Sequence, residues 1–275
     1  MKIKTHKSYW LAGLLALCVV GGVFAYWTQE LLVHNEFKTA RYDTKIEEEF
    51  VPPENWKPGQ EINKDVWISN KGTVSVFIKA VLHQEWIRKE NITDADGEVI
   101  PPSEGGSFPL SFRTQDGEQY AAQIHWGEVV LLASGRKSNI DLGVKTVDKI
   151  DDARGKWLLV NDVPDQNGDF LLYYIGMVEK DKNSPLLVDS VMMNPLIQPA
   201  ILSKTTYYDT DVGKWKTTVE RNSTFDYECA KYTMLVSATT VQATADAVKA
   251  VFATEKDSPE AVEYLANHAV QPADL

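Results

Sequence analysis

Residues 72–86, GTVSVFIKAVLHQEW, alternate with a period of two. Val74, Val76, Ile78, Ala80 and Leu82 fall on one side, and Thr73, Ser75, Phe77, Lys79 and His83 on the other. A helix would bring apolar residues together every three to four positions, so this stretch reads as a strand with one buried face. Lys79 shares its side with Thr73 and Ser75, which places it in solvent as an expectation. The same pattern recurs in YAAQIHWGEVVLLA (120–133), KWLLV (156–160), DFLLYYIGMV (169–178) and CAKYTMLVSATTVQA (229–243), all rich in β-branched and aromatic residues.

Turn chemistry separates these runs. Asp96-Gly97, Asp116-Gly117 and Asn167-Gly168 tolerate the positive φ of tight hairpins. Prolines gather at 52–53, 58, 101–102 and 109, where a chain leaves a sheet. The reading is an all-β chain of about ten strands, a two-sheet sandwich, with no linker and no solenoid repeat. Helix is expected only at the C-terminus, over 242–270. Val241, Ala245, Val248 and Phe252 form one stripe, and Ser258-Pro259-Glu260 supplies the cap, first residue and first-turn acid of a second helix.

The N-terminus carries a different signal. Residues 1–25 hold Lys2, Lys4 and Lys7 and no acid, followed by an uncharged run from Ser8 to Thr28. Gly21 and Gly22 interrupt that run, and Val23-Phe24-Ala25 presents small residues at the −3 and −1 positions of a signal-peptidase site. Residues 1–25 therefore read as an export signal cleaved between Ala25 and Tyr26, with a retained anchor as the alternative. The membrane is then met only through the signal before cleavage. Cys18 leaves with the signal, so Cys229 is the one thiol of the mature chain and no intramolecular disulfide can form. An exported chain of this kind points to a Gram-positive surface or its extracellular matrix.

Composition excludes other classes. The formal charge is −11 overall, and removing the basic signal leaves −14 on the remaining residues. Such a field repels polyanions and excludes nucleic acid as a partner. The histidines at 6, 34, 83, 125 and 268 are too dispersed for a zinc site, and His83-Gln84-Glu85 lacks the second histidine of a metalloprotease helix. No nucleophile elbow or phosphate loop occurs. VPDQNGD misses a calcium loop because Val163 stands where an Asp would begin it, which leaves Asp162, Asp165 and Asp169 as a surface acid cluster. Neither metal nor cofactor is expected, and no enzyme.

Three stretches carry a resemblance: AYWT at the signal junction with EEEFVPPENWKPGQEINKDVWISNKGTVSVFIKAVLHQEW; KWLLVNDVPDQNGDFLLYYIGMVEKDKNSPLLVDSVMMNP; and YTMLVSATTVQATADAV. Together they resemble the biofilm-matrix proteins exported through the SipW-type signal peptidase, the BsaA branch of the TasA and camelysin group. The motif is Trp56, Pro58, Gly59, Lys64, Val66, Asn70, Gly72 and Thr73. One departure is Lys180-Asp181-Lys182-Asn183-Ser184-Pro185, where relatives usually carry a Pro-Gly-Glu-type turn. The resemblance implies a jelly-roll sandwich that polymerises into extracellular fibres, its partners being itself in a head-to-tail homopolymer and the SipW-type peptidase. Camelysin is called a protease, but the residues here supply neither metal ligands nor a nucleophile for that activity.

The mature chain would begin YWTQELLVHNEF. Trp27, Leu31, Val33 and Phe37 share one face, with Gln29 and Asn35 as polar interruptions. Residues 26–38 are the candidate donor strand, able to complete an exposed sheet edge of another copy, and 39–275 the single sandwich domain. The alternatives are that 26–37 folds back as a strand of its own domain, and that the protein is a monomeric or membrane-tethered surface module for binding or adhesion.

Overall fold

A computed structural model describes residues 41–88, 92–93, 99–100, 107–197, 201–221 and 230–270. The early strands are β1 (Thr44–Phe50), β2 (Glu61–Asn70), β3 (Val76–Arg88), β4 (Ile92–Thr93), β5 (Val99–Ile100) and β6 (Ser107–Phe108). Next come β7 (Ser111–Thr114), β8 (Gly117–Tyr120), β9 (Ala122–Trp126), β10 (Val129–Leu132), β11 (Lys145–Val147) and β12 (Trp157–Leu159). The last are β13 (Asp169–Tyr174), β14 (Lys182–Asn183), β15 (Val188–Met193), β16 (Ile201–Asp209), β17 (Lys214–Arg221) and β18 (Ala230–Gln242). Two helices follow, α1 (Ala245–Phe252) and α2 (Pro259–Asn267).

The expected two-sheet sandwich is formed. One sheet has the order β1-β2-β15-β9, with β14 also on β2; the other runs β11-β10-β12-β13-β3-β18, with β6 also on β3. Most pairs are antiparallel, but β10 runs parallel to both β11 and β12. Val76, Ile78, Ala80 and Leu82 all lie in the core between the sheets with Val66, Ile68, Phe170 and Leu172. Each such side chain gains roughly 1.5–3 kcal/mol over an exposed one.

The opposite side of β3 is covered around Phe77 and Lys79, while Val81, His83, Glu85 and Ile87 farther along it stay partly exposed. Phe77, Tyr173, Leu158 and Val130 form a second core, capped by Val248, Phe252, Val262 and Leu265 of the helices. Lys79 is therefore only partly exposed, its side chain 14% exposed, and bonded to Asp257 of the α1–α2 connection at 2.8 Å. The strand pattern told which residues share a side, and the returning helices decided that the second side is covered around Phe77. Thr244 caps α1 and Ser258 caps α2, so helix begins at Ala245 rather than 242, and Val241 and Gln242 remain in β18.

Turn readings hold where the chain is described. Gly117 has φ +125° between β7 and β8, and Gly168 has φ +86° before β13. Asp96-Gly97, Cys18 and Cys229 lie outside the described residues. In the departing turn, Asp181 takes φ +57°, a conformation usually left to glycine. The hairpin β16–β17 had no apolar alternation to announce it: threonines, tyrosines and lysines occupy both faces.

Candidate functional site

The two sheets are unevenly closed along the side where β1 and β18 are their border strands. β1 pairs only with β2, and β18 only with β3, among the described residues. At one end the borders touch, with Thr44 Oγ1 and Thr240 Oγ1 2.9 Å apart. Toward Phe50 and Tyr232 they part, leaving a cavity of about 790 Å³. Trp56, Trp86, Tyr232, Phe50, Ile62 and Met193 supply much of its wall. Trp56 stacks on Trp86 at 5.8 Å, and Tyr232 tilts against Trp86 at 4.8 Å. The result is an aromatic cleft bounded by two unpaired strand edges.

Motif residues build this end of the molecule. Pro58-Gly59 makes the turn into β2; Gly59 has φ +77° and donates its N–H to Met193 O. Trp56 Nε1 donates to Gln60 O at 2.8 Å, which holds the ring over the cleft. At the other end of β2, Asn70 is fully buried and its Nδ2 donates to Val74 O and Val178 O, while its Oδ1 accepts from Gly72 N. A Cβ on Gly72 would lie 2.5 Å from Arg41 O. Thr73 Oγ1 accepts from Arg41 N, so this corner fastens the first of the described residues to the turn after β2.

Lys64 is the motif residue that packing alone does not explain. Ile62, Lys64, Val66 and Ile68 share the inner row of β2, so Lys64 occupies a core position, with its side chain 7% exposed. Its Nζ contacts Glu48 on β1 and lies 4.2 Å over the Phe50 ring. A lysine in that row was legible from the alternation of EINKDVWIS, yet it passed as a motif position only. β1 was also missed, because Glu47, Glu48 and Glu49 hide the Ile46–Phe50 alternation.

One polar constellation could be mistaken for a catalytic one. Glu61, Ser190 and His125 meet across β2, β15 and β9. Both Glu61 and Ser190 engage the same ring nitrogen, His125 Nδ1, and Ser190 donates directly to Glu61. A relay needs the hydroxyl and the carboxylate on opposite nitrogens, so this is a cross-strand bond set. Hydrogen bonds from Ser190 and His125 hold the Glu61 carboxyl below its usual range. The expected surface acids also disperse. Asp162 is buried and accepts from Lys137 N, Ser138 N and Ser138 Oγ. Asp165 Oδ1 caps the Asn167-Gly168 turn, and Asp169 bonds His83 Nδ1 at 2.7 Å.

Ala25, Tyr26, Trp27, Leu31, Val33 and Phe37, the residues assigned from sequence to cleavage and assembly, lie outside the described residues. What is described is the cleft, whose two border strands have no second strand partner among the described residues, and the corner that holds Arg41.

Residues 8–100 match the family model described as camelysin metallo-endopeptidase. These are 93 of 275 residues, and they contain the Trp56–Thr73 motif on which the resemblance to the TasA and camelysin group rests. No curated protein and no solved structure matches the chain. The metal named in that description finds no fit here: among the described residues no three His, Cys, Asp or Glu side chains group to hold an ion. Among them, too, no helix is long and apolar enough to cross a membrane.

Proposed function

We propose that this chain is an exported structural subunit that polymerises into extracellular matrix fibres by strand exchange, without enzymatic activity. The observation that carries the reading is the aromatic cleft between β1 and β18, bordered on both sides by backbone that is unpaired among the described residues. A border strand with free N–H and C=O groups is a template for another strand, and an apolar cleft beneath it supplies pockets for alternate side chains. Cleavage after Ala25 by a SipW-type peptidase would free the segment 26–38, whose Trp27, Leu31, Val33 and Phe37 share one face. Inserted between β1 and β18 of a second copy, it would bond to both edges and fill the cleft. The contact joins different surfaces of successive copies, so it grows a filament instead of closing a ring. The uncleaved signal would keep the segment at the membrane and delay assembly until export.

The test is deletion of Tyr26–Glu36 from the mature protein, imaged under fibre-forming conditions. A folded monomer that forms no filaments is the expected outcome; normal filaments from the truncated chain refute strand exchange. A second reading, a monomeric surface-binding module, draws on the β16–β17 hairpin. Its Trp215 is 71% exposed and packs edge-on against Tyr208, so the hairpin presents aromatic surface outward. Size-exclusion chromatography separates the two readings: a mature chain that stays monomeric at every concentration favours the binding module.

A further inference from the structure

Lys64 stands in the inner row of β2 between Ile62 and Val66, where a leucine or valine would pack without cost. Lysines are almost never fully buried unless paired, and a buried ion pair is weak evidence for stability. Its partner Glu48 lies on the same side of β1 as Ile46 and Phe50, with its side chain 41% exposed. Lys64 is the one charged residue of the cleft lining that is buried: Glu54 and Lys231, which also line it, are exposed, and Glu48 holds Lys64 from outside that lining. An ammonium has three donors, and Glu48 is its one hydrogen-bond partner among the described residues.

The segment assigned to the cleft has the complementary irregularity. Along its apolar face, Val33 and Phe37 flank Asn35, a residue that cannot enter an aromatic cleft without polar partners. An amide matches the Lys–Glu pair group for group: its carbonyl accepts from the ammonium, and its NH₂ donates to the carboxylate. A single polar match in an apolar seam is a known device for fixing register, because any slip orphans both sides at once. Gln29 is the other amide on that face. The long lysine opposite favours the shorter side chain, since facing positions pack large against small.

Resting on the strand-exchange reading, we propose that Lys64, held by Glu48, is the register-setting partner of Asn35 from the inserted segment of the next copy. The pair acts as a specificity element: it selects one seating of the strand and rejects an apolar strand of the same shape.

The test uses the full mature chain and reads the critical concentration for fibre growth by sedimentation. N35L and K64M are each expected to raise it about tenfold, the effect of leaving one polar partner unmatched in an apolar site. The double variant, N35L with K64M, is expected to recover to within about threefold of wild type, because no orphaned amide remains. A role confined to folding would not produce that recovery. Q29L is expected to assemble as wild type does. If K64M does not fold, K64R serves in its place, and the N35L defect is expected to persist beside it. The proposal is overturned if N35L assembles at the wild-type concentration, if the double variant is as impaired as the product of the singles, or if Q29L carries the defect. Normal filaments from the chain lacking Tyr26–Glu36 would overturn this proposal together with strand exchange. A truncation that abolishes filaments beside a harmless N35L would overturn the register pair alone.

Discussion

Replacing Asp257 by alanine is expected to loosen the helical cap from the sandwich. Asp257 lies in the α1–α2 connection with its side chain 3% exposed. Its carboxylate accepts from Lys79 Nζ at 2.8 and 3.1 Å, from Tyr173 OH, and from Thr254 N and Oγ1 at 3.0 and 2.6 Å. Alanine would leave the Lys79 ammonium, itself 14% exposed, without a counter-charge on an apolar face beside Phe252. Breaking a buried pair by removing one partner costs about 3–5 kcal/mol. For a chain of this size, the lower figure of about 3 kcal/mol corresponds to a fall in Tm of roughly 6–12 °C. Thermal unfolding of monomeric protein, followed by circular dichroism, measures it. K180A, which removes the exposed Lys180–Asp181 pair, is the control and is expected to leave Tm unchanged. A fall for D257A no larger than the control's would refute the reasoning. Acid gives an independent reading. Burial pushes the Asp257 carboxyl up, but the hydrogen bonds from Lys79, Thr254 and Tyr173 outweigh it and hold the carboxyl below its ordinary value. The contribution is therefore complete above the unfolded value, about 3.9, and is lost as pH falls through the lower folded one. D257A should accordingly flatten the acid limb of stability against pH.

Asn70→Ala removes three hydrogen bonds from a fully buried side chain and is expected to cost about 3 kcal/mol, read as a lower urea midpoint at an unchanged slope. Trp86→Ala empties the centre of the aromatic stack and is expected to cost about 3–5 kcal/mol, with loss of the near-ultraviolet aromatic signal. Trp215→Ala touches a ring that is 71% exposed, so its Tm is expected to stay within about 2 °C of wild type. N-terminal sequencing of extracellular material is expected to begin at Tyr26; a chain beginning at Met1 would refute cleavage after Ala25.

The alternation in 72–86, the turn glycines and the capped C-terminal stripes were legible because each is a local constraint. A strand's side chains alternate whatever lies above or below it, and positive φ favours glycine in any fold. β1 stayed hidden because three successive glutamates outweigh two apolar residues in any local count. The β16–β17 hairpin stayed hidden because its side chains are mostly exposed, so no core demands apolar alternation of it. Lys64 was visible as a lysine in an apolar row, but its meaning required knowing that β1 brings Glu48 and Phe50 against it.

By itself, then, the sequence determined the class of fold, the sides of its strands, the caps of its helices and the absence of local catalytic motifs, all of which depend on neighbours a few residues away. The tertiary structure alone decided that Lys79 is largely withdrawn from solvent and paired, that Glu61, Ser190 and His125 meet without forming a relay, and that β1 and β18 part to open an aromatic cleft. Those outcomes depend on residues far apart in the chain, 178 positions for Lys79 and Asp257 and 196 for Thr44 and Thr240. Side-chain periodicity carries no information about which strands become neighbours, because pairing is settled by the packing of whole sheets.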